Sequence, residues 1–188
     1  MRPAFDALFA IDDALGEVVA TSTQPALGAI RLAWWRDALD RLDTTPPPPE
    51  PRLQAAASEL LSRGVTGAQL SGLAVGWAAL FDEVRDAAAI GERGAALFAI
   101  GGTLLGAENP RLAKAGRWFA LADAARRGLT PILDTQITRM RFPRRLRPLT
   151  ALARLAVRDL ARGEPFEPEA TPGRALALLS HRLTGAIG

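Results

Sequence analysis

Apolar residues recur along most of the chain at the three- and four-residue spacing of a helix face. Nowhere do they alternate over the length that a half-buried strand needs. The pattern predicts a first helix over about 3–19, with Phe5, Leu8, Phe9 and Leu15 on one broad face. Ser22 and Thr23 then offer an N-cap, and Pro25 a first helical position, for a second helix over 25–42. Leu27, Ile30, Trp34 and Ala38 make one stripe on it, and Leu32, Trp35 and Leu39 a second beside the first. An apolar arc that wide predicts a central helix. Further helices are expected over 53–62, 67–81, 92–105, 110–127, 149–162 and 172–183, with a short one over 131–138. Gly64, Gly106, Gly128 and Gly163 stand where helix ends are expected. The proline-rich run 44–51 reads as a stiff, extended link between helices. The expected fold is therefore all-α, with about eight helices in one domain over 1–188.

Composition narrows the chemistry. Hydrophobic residues make up 48% of the chain, enough for a substantial core. Cysteine is absent, which rules out disulfides and thiolate chemistry and suits a cytoplasmic protein. The opening residues turn acidic too early for a signal peptide. The apolar run Gly94–Ala107 falls short of the about 20 residues that a bilayer span needs. Lys114 is the single lysine among 23 basic residues, and the net charge is only +3. No aromatic platform or base-reading motif accompanies that charge, so nucleic acid is not an expected partner.

His181 is the only histidine, which leaves no material for a triad or a histidine zinc site, and beside Arg182 it reads as a surface residue. No phosphate-cradling glycine motif is present, and Gly101-Gly102 reads as a close helix contact. Carboxylates four apart share a helix face and can hold a hard cation such as Mg²⁺. Two such pairs exist: Asp13 and Glu17, with Asp12 adjacent, and Asp82 and Asp86. The plainer reading of both is solvated helix ends, or ion pairs with Arg85 and Arg93. The run 139–147 carries five arginines. It could meet a diphosphate or an anionic membrane surface, and its plainer reading is a connector with solvated side chains.

Two segments carry a family resemblance. Arg2-Pro3-Ala4-Phe5-Asp6-Ala7-Leu8-Phe9-Ala10-Ile11 resembles the opening helix of the squalene/phytoene synthase family. Pro25-Ala26-Leu27-Gly28-Ala29-Ile30-Arg31-Leu32-Ala33-Trp34-Trp35-Arg36-Asp37-Ala38-Leu39 is similar to the segment that follows there. Weaker likeness runs through 51–55, 95–106, 115–116 and 146–149. The resemblance implies an isoprenoid synthase-like helical bundle. Active members condense prenyl diphosphates using Mg²⁺ held between two aspartate-rich motifs on facing helices. In the register set by Ile11, only Glu17 is acidic at the first motif, with Asp12 and Asp13 about one turn early. At the second, Arg126-Arg127 stand where active members have Arg-Asp. The pattern resembles the family's degenerate branch, which includes complex I assembly proteins. That implies a non-catalytic protein with no cofactor, an isoprenoid or lipid ligand or a protein partner, and cytoplasmic placement with peripheral contact to the inner membrane. Arg31, Arg126 and Arg127 are then the candidate ligand-binding residues. The alternative is an active prenyl transferase that uses Mg²⁺ with Asp12, Asp13 and Glu17 and with Asp82 or Asp86.

Overall fold

The structure is a computed structural model that describes residues 1–188. It is all-α but for one two-residue strand pair. The helices are α1 (Arg2–Thr21), α2 (Pro25–Asp40), α3 (Pro51–Glu59), α4 (Gly67–Ser71), α5 (Leu73–Ala78), α6 (Ala87–Leu104), α7 (Arg111–Arg126), α8 (Arg147–Arg162) and α9 (Pro172–Thr184). Only Gly72 separates α4 from α5, so the two together fill the expected 67–81 helix, which ends in a tighter turn over Ala79–Phe81. One contiguous core of 39 buried residues runs from Ala4 to Ile187, so the segments before and after the proline-rich run share it.

The centre of the molecule is α6 packed along α7. Gly94 and Gly116 meet there backbone to backbone, and a side chain on either would collide with the carbonyl of the other. Further along α6, Leu149 packs on Gly101 and Leu112 on Gly102, so this glycine pair is a close contact between helices. Gly64, Gly106 and Gly128 all adopt positive φ at the ends of helical segments, the conformation that favours glycine there.

Five expectations change. α2 is not central: Leu32, Trp35 and Leu39 are buried, but Leu27, Ile30 and Trp34 face solvent. No helix forms over 131–138. This stretch is rich in β-branched residues, and the Trp118 indole N–H donates to the Gln136 carbonyl, which ties it to α7. α6 starts at Ala87, five residues earlier than expected, because Asp86 accepts from the Ala88 N–H as its N-cap. His181 is buried. Its ring lies 3.0 Å from Thr150 Oγ1 and 2.9 Å from the Ala186 carbonyl. It thereby ties α9 to α8 and to the strand pair β1 (Met140–Arg141) and β2 (Ala186–Ile187), which is antiparallel. The proline-rich link ends one residue early, with Glu50 capping α3 through the Leu53 N–H and Pro51 at the first helical position.

Candidate functional site

Four helices bring five charged side chains together around Trp77. α1 supplies Asp12, which is fully buried, and its exposed neighbour Asp13. α5 supplies Trp77, α6 supplies Arg93, and α7 supplies Asp123 and Arg127. Small residues make the convergence feasible. Gly16, one turn after Asp12, leaves room for the Trp77 ring, which a Cβ there would meet at 2.8 Å. Gly76 lets α5 approach α6 at Arg93, whose Cβ would lie 2.6 Å from a Cβ at that position.

Arg93 occupies the centre. Its Nη2 donates to Asp123 Oδ2 at 2.7 Å, and its Nη1 lies 3.6 Å from Asp12 Oδ2. The guanidinium carbon sits 3.9 Å from the Trp77 ring centroid and 5.8 Å from that of Phe119. The Trp77 indole N–H donates to Asp12 Oδ1 at 2.9 Å. Arg127 closes the outer side: its Nε donates to both Asp123 oxygens at 3.0 Å, and its Nη2 to Asp13 Oδ1 at 2.8 Å. Three carboxylates thus meet two guanidinium groups.

Burial dominates the ionisation of Asp12 and raises its pKa above the ordinary value. Arg93 and the Trp77 N–H pull it back, and the Asp123 charge pushes it further up. Partial desolvation disfavours the Arg127 cation, but Asp123 and Asp13 outweigh it and hold its pKa above the usual arginine value.

The sequence candidates separate into different surroundings. Asp12 and Asp13 face Asp123 across the arginines. Glu17, the residue in the expected register, instead pairs with Arg52 of α3 at 3.1 Å near the surface. Asp82 and Asp86 do not share a helix face, because residues 82–86 precede α6 as a turn. The Arg85 guanidinium bonds the Asp82 carbonyl, and Arg93 turns to Asp12 and Asp123 rather than to this turn. Arg31 is exposed, 3.5 Å from Thr21 Oγ1. Arg126 points away from Arg127, to Asp159 Oδ2 at 3.3 Å and to the Glu167 carbonyl. Trp77 had no place among the candidates. Its one signal in the sequence is an aromatic ring between Gly76 and two alanines, in a segment otherwise built of small and aliphatic residues.

Between α7 and α8 lies a cleft of about 380 Å³. Phe119, Leu152 and Leu155 form its apolar wall, and Asp123, Arg126 and Arg174 its polar end. Arg174 donates to Asp159 Oδ1 at 2.5 Å. Below it Glu167 receives Arg158, Arg162 and Thr171, each at 2.6 Å, which fixes the loop between α8 and α9.

A Mg²⁺–diphosphate unit, the group expected if the chain were an active synthase, does not fit this donor set. Asp12, Asp13 and Asp123 are each engaged by a guanidinium group, and a divalent cation between them would stand against two fixed positive charges. No three acidic or histidine side chains converge on a common point. No family model matches the chain, and no curated protein or solved structure matches it.

Proposed function

We propose that this chain is a non-catalytic protein of squalene/phytoene synthase type, acting by binding an isoprenoid or lipid or by assembling with a protein partner. The family part of this reading rests on the likeness of residues 2–11 and 25–39. The non-catalytic part rests on one observation: Arg93 and Arg127 fill the space between the carboxylates of α1 and α7. Ionisation of a prenyl diphosphate needs positive charge aimed at the leaving group, supplied by metal on those carboxylates. Here the carboxylates serve arginines of the chain itself. The cleft lined by Phe119, Leu152 and Leu155 offers a wall for an apolar chain, with Arg126 and Arg174, both paired with Asp159, at its polar end beside Asp123 and Glu169.

The test is incubation with farnesyl or geranylgeranyl diphosphate and Mg²⁺, followed by measurement of released diphosphate. The expected result is no release above the protein-free control. Release that depends on Mg²⁺ and disappears in Asp12→Asn or Asp123→Asn would establish the active prenyl transferase instead.

A further inference from the structure

We propose that the face formed by α9 and the β1–β2 pair docks on a membrane surface rich in anionic lipid. Leu176, Leu179 and Leu183 stand 67%, 53% and 71% exposed at i, i+3 and i+7 of α9. They form a ridge on the side opposite the buried Ala177 and His181. A cleft runs along each flank of this helix. Arg144, Arg147 and Arg182 line one, and Arg111, Arg139, Arg141 and Arg154 line the other. Neither cleft contains an acidic side chain. None of these seven arginines takes part in the ion pairs of the molecule. Arg147 fixes the arrangement by donating to the Arg182 and Leu183 carbonyls at 2.8 and 3.1 Å, which satisfies the end of α9 with a cation.

An apolar ridge between two unpaired basic troughs matches the headgroup layer of a bilayer. Leucines enter the acyl boundary while guanidinium groups on both sides meet lipid phosphates. The other exposed apolar stripe lacks this complement. Beside Leu27, Ile30 and Trp34 on α2 the charges are mixed, and Arg41 pairs with Asp37 at 2.6 Å. Arginines alone would also suit nucleic acid, but nucleic acid has no use for the leucine ridge. The surface is separate from the Arg93 cluster, so this docking stands whether or not the chain turns over a prenyl diphosphate.

The experiment is flotation of the full chain with phosphatidylcholine vesicles, with and without phosphatidylglycerol. Binding to the anionic vesicles alone, weakened by high salt, is expected. Leu179→Asp with Leu183→Asp should cut partitioning by about 10-fold or more. Arg141→Glu with Arg144→Glu should cut it by about 30-fold. All four positions are exposed, so the helical circular dichroism and melting temperature of both variants should match the parent. No flotation, equal flotation on neutral vesicles, or insensitivity to the leucine pair overturns the proposal. So does tight binding of duplex DNA by a chain that ignores vesicles.

Discussion

Arg93 sits over the ring of Trp77, 3.9 Å from its centroid, while the same indole donates its N–H to Asp12. One aromatic side chain thus serves both partners of a buried ion pair, offering its π-face to the cation and its edge to the anion. A desolvated cation on an aromatic face is worth about 2 kcal/mol. The remaining attraction comes from Asp123 and Asp12, which leave Arg93 without an uncompensated charge.

Removing that cation leaves two carboxylates facing each other with little water. Arg93→Leu should therefore lower unfolding free energy by about 3–5 kcal/mol, read from urea denaturation. Adding Asp12→Asn should recover part of the loss, since α1 then carries no buried charge. If Arg93→Leu is as stable as the parent, the cluster does not hold the four helices.

Asp12 also gives a pH signature. Its pKa in the folded state is raised above 3.8, chiefly by burial. The stability it contributes is full below that value and fades as pH rises through the folded pKa. The stability of the parent relative to Asp12→Asn should therefore fall as pH rises. Paired melting curves across an acid-to-neutral series measure this.

Glu167 has the opposite sign. Its hydrogen bonds from Arg158, Thr171 and Arg162 lower its pKa from 4.5 to about 2. The resulting stability is present above 4.5 and is lost as pH falls towards about 2. Glu167→Gln should remove this acid dependence, so melting temperatures of variant and parent should converge across that window.

The α6–α7 crossing tolerates no added atom. In Gly94→Ala the new methyl would run into the Gly116 carbonyl, and backbone cannot yield as a side chain can. A loss of about 3 kcal/mol is expected in chemical denaturation. Gly64→Ala meets nothing within 4 Å, so its cost should reflect positive φ alone, about 1 kcal/mol.

The helices were legible because their periodicity is local, and α1 and α2 start and stop within a few residues of the pattern. Burial was harder. Both stripes of α2 are apolar, and periodicity does not say which one finds a neighbour. The pattern predicts a short helix over 131–138, yet the Gln136 carbonyl there is held by Trp118, 18 positions away. The site shows the same limit more sharply. Counting along one helix singled out Glu17, whereas Asp12 is the buried residue because Arg93 and Trp77, distant in sequence, meet it. His181 looked solvated beside Arg182 for the same reason, since Thr150, which meets its ring, lies 31 positions away along the chain.

The small glycine at Gly76 allows α5 to rest against α6 at Arg93. Through that contact a single guanidinium group is shared by segments that start at residues 2, 73, 87 and 111. Opening any one of them exposes the same charge, so their amides should exchange with solvent as one cooperative unit, slower than those of α9. The cluster that stands where chemistry would be expected thus acts as the latch on which the early and late halves of the chain lose their independence.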